Sequence, residues 1–187
     1  MSQIYEAITP RLRRFIETQH VFFVASAPDG PGGHVNVSPK GVAGMFRVVD
    51  ERTVAYLDLT ASGAETIAHL RQNGRITVMF CSFDRSPKIL RLHGRGRSIG
   101  REEPEFGRWA VGFPDTVAAR AVIVVDVERV ADSCGYGVPL MEFAGEREML
   151  VPRQERRGVD GLAAYRIAKN RVSIDGLPAY DADPVDV

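Results

Sequence analysis

The sequence predicts a mainly β fold: an antiparallel barrel, closed or nearly closed, with helices packed outside it. One observation is that most apolar segments are short and rich in β-branched and aromatic residues. Another is that these segments follow one another across short turns containing Gly, Pro and Asp. A doubly wound parallel sheet would need a helix after most strands, and the chain does not show that alternation.

Size and composition fit a single globular domain. The 187 residues are 44% hydrophobic and 26% charged, enough to bury a core without disulfide bonds. The 24 basic and 24 acidic side chains balance, which argues against a nucleic-acid partner. The apolar runs are too short to span a bilayer and no signal peptide is evident, so we expect a reduced, cytoplasmic protein with no membrane partner. We expect one domain over 1–187, with a barrel core at about 19–132 and a C-terminal extension at about 133–187.

The first elements are a helix and two strands. Thr9 and Pro10 predict a helix start, as the N-cap and the first helical position. VFFVASA (21–27) predicts a strand and PDGPGG (28–33) predicts a turn. HVNVS (34–38) then predicts the returning strand.

A hairpin and a helix follow. MFRVVDERTVAYLDL (45–59) predicts two strands joined at a polar Asp-Glu-Arg break. ASGAETIAHLRQNG (61–74) predicts a helix that ends at an Asn-Gly pair. Ser62 and Glu65 have the spacing of a capping box, which places the start of this helix.

Three further strands and a mixed tail complete the chain. The strands are predicted at RITVMFCSF (75–83), KILRLHGRGRSI (88–99) and ARAVIVVDVERVAD (119–132). The remaining elements are short helical turns within 102–115, a helix over 159–170 and a short strand or turn at 171–178.

Basic and hydroxyl side chains at strand ends are the chemistry that the residues suggest. No protease, zinc or dinucleotide motif is present, and no metal site is expected. Lys40 ends one strand, and Thr60 and Ser62 precede a helix start, where a phosphate can bind. Purely structural roles also fit these residues: spacing alone favours simple capping for Ser62, and Lys40 fits an exposed turn equally well. Arg91, Arg95 and Arg97 also fit a solvated strand face paired with Glu or Asp.

Four segments together resemble the flavin-binding split-barrel family related to pyridoxamine 5'-phosphate oxidase. They are VFFVASA, HVNVSPKG, VAYLDLTASGAETIAHLRQNGRITVMFCSF and KILRLHGRGR, within roughly 15–100. The resemblance implies a split antiparallel barrel and an FMN-binding homodimer with the flavin at the subunit interface. It implies an FMN-dependent oxidoreductase that takes electrons from a small organic substrate or a reduced nicotinamide, and it names no catalytic side chain.

The resemblance also implies a set of cofactor-binding residues. Asn36, Val37 and Ser38 would lie beside the flavin ring, and Lys40 would reach the phosphate or the ribityl chain. The remaining implied contacts are Tyr56, Leu57, Asp58, Thr60, Ser62, Thr66, Lys88 and Arg91.

The chain departs from pyridoxamine phosphate oxidases in ways that bear on the substrate. Their Arg-x-x-Leu-Leu-Lys stretch is replaced by Val35-Asn36-Val37-Ser38-Pro39-Lys40, in which only the lysine matches. Vitamin B6 oxidation is therefore not the expected activity. Two alternatives remain open: a flavin-binding protein without catalysis, and the same barrel holding a deazaflavin or haem.

Overall fold

The computed structural model describes residues 2–180; residue 1 and residues 181–187, the end of the expected C-terminal extension, lie outside the described part. Within it the chain forms eight strands and five helices. The strands are β1 (Gln3–Tyr5), β2 (Phe22–Ser26), β3 (Asn36–Lys40), β4 (Phe46–Val48), β5 (Thr53–Leu59), β6 (Arg75–Cys81), β7 (Ile89–Gly100) and β8 (Ala119–Ser133). The helices are α1 (Pro10–Glu17), α2 (Glu65–Gln72), α3 (Phe106–Ala110), α4 (Leu150–Glu155) and α5 (Gly158–Asn170).

One antiparallel sheet organises the molecule, as the sequence predicts. Its strands lie in the order β3-β2-β6-β7-β8-β5-β4, and β1 pairs with β8. Among the described residues the edge strands β3 and β4 form no ladder with each other, so the curled sheet is a split barrel. None of the helices in this part of the chain is long and apolar enough to cross a bilayer.

Apolar side chains fill both faces of the sheet. The barrel interior holds Tyr56, Phe80 and Ile123, all at most 1% exposed. The outer face of β5 and β8 carries a second cluster that includes Leu57 and Val122, against which α3 and α4 pack. Burial on both sides explains why β8 contains the uninterrupted apolar run AVIVV rather than an alternating pattern.

The edge strand β3 is displaced from its expected position by two residues. It begins at Asn36 rather than at His34 and continues through Pro39 to Lys40. A proline has no N–H to donate and is tolerated in an edge strand, where one side of the backbone is unpaired. The strand therefore carries Lys40 into the ladder, opposite Phe22 of β2.

The start of α2 corrects the predicted capping box. The helix begins at Glu65, Ala64 occupies the N-cap position, and no side chain caps it. The carboxylate of Glu65 instead accepts a hydrogen bond from the Ile174 N–H at 3.0 Å. The hydroxyl of Ser62 thus has no capping role. The start of α1 is as predicted, since the Thr9 hydroxyl accepts a hydrogen bond from the Leu12 N–H at 3.3 Å.

The C-terminal extension is more helical than the sequence predicts. Besides α5, which confirms the predicted helix, it contains the short helix α4. Pro152 lies in the first turn of α4, where its missing N–H costs no helical hydrogen bond. Residues 171–178 form a turn closed by one bridge between Val172 and Pro178.

Candidate functional site

A cleft of about 360 Å³ lies between the edge strand β3 and the start of α2. The turn between β5 and α2, residues 60–64, contributes a second wall, and β8 contributes Arg120. The lining residues are Asn36, Ser38, Pro39, Lys40, Ala61, Ser62, Gly63, Glu65, Thr66 and Arg120. Six of the sequence-predicted residues meet at or just below this cleft: Asn36, Ser38, Lys40, Asp58, Ser62 and Thr66.

The alternation of β3 decides which of its side chains face the cleft. Asn36, Ser38 and Lys40 pair with β2 residues that face the barrel interior, so they lie on the inner side. Val37 lies on the opposite face and is 61% exposed. A contact between a ligand in this cleft and Val37 is therefore limited to its backbone.

A buried ion cluster forms the floor of the cleft. The Lys40 ammonium donates to Asp58 Oδ1 at 3.0 Å, and Arg120 Nε donates to Asp58 Oδ2 at 2.7 Å. Asp58 is 2% exposed and Arg120 is 3% exposed. Two cations thus share one carboxylate, which leaves the cluster with one excess positive charge.

The charges around Asp58 keep it ionised. Burial alone would raise the pKa of this carboxyl, but the charges of Arg120 and Lys40 and their hydrogen bonds lower the pKa to about 2. Near neutral pH the aspartate is therefore an anion that fixes both cations. This arrangement explains how a lysine and an arginine can share a largely buried site.

A β-bulge brings Arg120 into the cluster. In the β5–β8 ladder Asp58 pairs with Ala121 and Leu59 pairs with Ala119, so Arg120 is the unpaired extra residue. The bulge turns its side chain towards Asp58. Its Nη1 atom is buried and has no hydrogen-bond partner among residues 2–180. A buried guanidinium N–H without an acceptor is uncommon and marks a place where a ligand oxygen would be favourable.

Hydroxyl and amide groups continue from the ion cluster along the cleft. The Ser38 hydroxyl donates to Asn36 Oδ1 at 3.0 Å, and Asn36 Nδ2 donates to the Thr66 hydroxyl at 3.1 Å. Behind them, the Ser26 hydroxyl lies 3.0 Å from Nδ1 of the fully buried His69. These bonds fix the orientation of the Asn36 amide at the cleft wall.

Two predicted residues of β5 lie in the core rather than in the cleft. Tyr56 is fully buried below the site, and the Lys40 ammonium is 5.9 Å from the centre of its ring. Leu57 points to the outer cluster and is 5% exposed. Strand alternation places Leu57 on the face opposite to Asp58, whereas Tyr56 shares the face of Asp58 and lies deeper in the core.

Three other predicted residues have partners elsewhere. The Thr60 hydroxyl accepts from Arg166 at 2.9 Å on the side of the turn that faces the extension. Lys88 pairs with Asp132 at 3.1 Å, and Arg91 donates to Ser133 at 3.1 Å. Neither basic side chain lines the cleft. A role in binding a ligand stays a prediction for them.

Arg120 is the site residue that sequence reasoning missed. It sits inside ARAVIVV, a run that reads as a wholly buried strand. A single charged residue inside such a run is the usable signal, because arginine is almost never buried without a partner. No group of three metal-ligating side chains occurs in the described part of the chain.

Comparisons with known proteins agree with this architecture. A family model described as pyridoxamine 5'-phosphate oxidase matches residues 8–134. The pyridoxamine 5'-phosphate oxidase family protein ustO of Aspergillus flavus is 42% identical over 194 residues, covering 95% of this chain and 78% of that protein. The crystal structure of HupZ from Group A Streptococcus is similar with a TM-score of 0.51 and 26% identity, over 66% of this chain and 91% of that one. A variant of the same protein gives a TM-score of 0.52 and 25% identity, over 67% of this chain and 99% of that one.

Proposed function

The chain belongs to the pyridoxamine 5'-phosphate oxidase family, and on that premise we propose that it binds FMN in the cleft beside Lys40 and acts as an FMN-dependent oxidoreductase. Lys40 and Arg120 would hold its phosphate group at the cationic end of the cleft. The side chains on the inner side of β3 would lie beside its ring system.

The observation that carries this proposal is the unpartnered Nη1 of Arg120. Because it is buried in the wall of the cleft, an anionic oxygen is the group that suits it best. Lys40 supplies a second cation, and Ser62 and Thr66 supply hydroxyl donors on the other side. Glu65 also lines the cleft, but its Oε2 is engaged by the Ile174 N–H, which draws that charge towards the extension.

The protein groups bind and orient the cofactor. Asp58 holds the two cations in place through its two carboxylate oxygens. Asn36 and Ser38 present an amide and a hydroxyl along β3, where they can hydrogen-bond to the polar edge of a flavin ring. Bound FMN supplies the two-electron redox chemistry, so no side chain has to act as an acid or a base.

The proposal includes a homodimer in which the flavin lies at the subunit interface, in a reduced, cytoplasmic setting. The open cleft would be covered by the second subunit. Cys81 and Cys134 are both free thiols.

The test begins with the purified protein. We expect a yellow preparation that releases FMN, identified by mass, when the protein is denatured. We also expect NADH or NADPH, or an organic donor, to bleach the bound flavin, and we expect the donor to be consumed steadily when an electron acceptor such as dissolved oxygen reoxidises the flavin. A colourless protein that fails to bind added FMN would contradict the proposal. Tight FMN binding without turnover against any donor would reduce it to a flavin-binding protein that is not an enzyme.

A further inference from the structure

The C-terminal extension holds the turn that lines the cleft. Gln154 Nε2 donates to the Thr60 carbonyl at 2.9 Å, and Arg166 Nε donates to the Thr60 hydroxyl at 2.9 Å. Asn170 Nδ2 donates to the Ala61 carbonyl at 3.0 Å. These three side chains are 4%, 5% and 0% exposed, respectively. Burial makes each bond expensive to lose.

Arg166 joins two walls of the cleft. Besides Thr60, its guanidinium donates through Nη2 to the carbonyls of Val117 and Ala119 at 3.1 and 2.9 Å. Ala119 directly precedes Arg120, whose side chain reaches the ion cluster. One buried side chain of the extension therefore fixes both the hydroxyl-bearing turn and the start of the strand that supplies a cation.

The extension also contacts the start of α2 and the segment that precedes β3. The Ile174 N–H donates to Glu65 at the start of α2, at 3.0 Å. The His34 ring lies 2.6 Å from Asp175, and the His34 N–H donates to the same carboxylate at 2.9 Å. His34 is two residues before β3, so the approach to the edge strand is also tied to the extension.

The turn depends on these contacts for its geometry. Residues 60–64 form no helix or strand, so their conformation is set by what they bind on either side. Ala61, Ser62 and Gly63 face the cleft, whereas the carbonyls of Thr60 and Ala61 face the extension. A ligand in the cleft and the extension behind it thus act on the same few residues.

We propose that the C-terminal extension and the ligand cleft are energetically coupled, with Arg166 as the positioning residue that transmits the coupling. The inference rests on the proposed function for the identity of the ligand, a phosphate-bearing flavin. Coupling free energies are reciprocal, so the ligand stabilises the docked extension by the same factor by which the docked extension tightens binding. The family model ends at residue 134, so Gln154, Arg166 and Asn170 lie beyond the region that the model matches.

Hydrogen exchange on the unmodified protein tests the coupling without any variant. FMN should slow amide exchange in α5 and around Asn170, whereas riboflavin, which lacks the phosphate, should slow it less. Binding of FMN with unchanged exchange in α5 would overturn the inference and leave the proposed function standing. Failure of FMN to bind at all would overturn the proposed function, and this inference would fall with it.

Arg166→Met provides the second test, with Arg156→Met as the matched control. Arg156 belongs to the same extension, and its side chain is exposed. We expect Arg166→Met to weaken the binding of FMN by about 5- to 150-fold, which is the usual range of coupling between two sites. Riboflavin affinity should change less, and Arg156→Met should change neither. A folded Arg166→Met protein with unaltered FMN affinity would overturn the inference; if this variant does not fold, the exchange measurement on the unmodified protein decides.

Discussion

At the residue scale, Asp58 and Arg120 show how the fold can keep cations in a nearly dry site. Replacing either partner of such a buried pair leaves a charge without compensation, which typically costs about 3–5 kcal/mol. The cluster has three members rather than two, and Lys40 is its most accessible one, with a side chain that is 26% exposed. Substitution of Lys40 is therefore the mildest way to probe the site.

Acid should remove the stabilisation that Asp58 provides. Its folded pKa of about 2 lies below its ordinary value of 3.8, so the contribution is present above that ordinary value and is lost as the pH falls towards 2. Over this window we expect the difference in unfolding free energy between the unmodified protein and Asp58→Asn to shrink by about 2 kcal/mol. Urea denaturation at a series of pH values measures it. A difference that stays constant between pH 4 and pH 2 would show that the carboxylate is not held by its cations.

At the element scale, close packing explains two glycines of β7. Gly94 lies at a bulge in the β7–β8 ladder, and an added Cβ would overlap the Asp126 carbonyl, 2.9 Å from its carbon. Gly96 leaves room for Leu70 of α2, which would be 2.9 Å from an added Cβ. Close packing thus explains both glycines of the stretch His93-Gly94-Arg95-Gly96.

Gly94→Ala should therefore destabilise the protein by about 1–3 kcal/mol, because backbone atoms of β8 have to move. Gly137→Ala is the matched control, since an added Cβ there has no heavy atom within 4 Å. Thermal unfolding of the two variants compares them directly. Equal melting temperatures would mean that the bulge tolerates a side chain.

The ion pair between His34 and Asp175 should make the docking of the extension depend on pH. The hydrogen bond and the charge of Asp175 raise the pKa of His34. This stabilisation is complete below the unfolded value of about 6.5 and is lost as the pH rises through the higher folded value. We expect the melting temperature of the unmodified protein to exceed that of His34→Gln at low pH, with the gap closing as the pH rises. In an Asp175→Asn background the effect of the same substitution on the melting temperature should not depend on pH. An effect that still changes with pH in that background would contradict the pairing.

At the scale of the whole molecule, the outer face of β3 is a suitable surface for a second subunit. Val37, on this edge strand, is 61% exposed, and Val35, directly before the strand, is 70% exposed. The strand has one unpaired side. An exposed apolar edge of this kind favours association between chains.

Light scattering should give a mass of two 20.6 kDa chains for the unmodified protein. Val37→Lys should shift it towards the monomer, because it places a charge on the apolar edge. Val159→Lys, at a position that is 69% exposed on α5, should leave the dimer intact. A monomer that still binds FMN with full affinity would separate flavin binding from dimerisation and contradict this part of the proposal.

More of the fold than of the candidate site could be predicted from the sequence. Strand and helix patterns depend on neighbouring residues, so β2, β5, β7 and α5 could be predicted from the order of apolar and turn residues. The site depends on pairings between distant residues, such as Asp58 with Arg120 and Thr60 with Arg166. No local sequence pattern predicts the bulge that turns Arg120 towards Asp58. The capping-box spacing of Ser62 and Glu65 predicts a cap that the structure does not contain.

The comparison of FMN with riboflavin tests the central claim most directly, because the two ligands differ only in the phosphate that Lys40 and Arg120 are proposed to bind. We predict that the protein binds FMN more tightly than riboflavin by about 10- to 100-fold, the worth of one charged hydrogen bond or slightly more. Lys40→Met should remove most of that preference, because it should weaken the binding of FMN and leave the binding of riboflavin unchanged. Lys169→Met, at an exposed position of α5, is the control and should preserve the preference. Equal affinity for the two ligands, or an equal loss of both in Lys40→Met, would contradict the assignment of this cleft as the phosphate site.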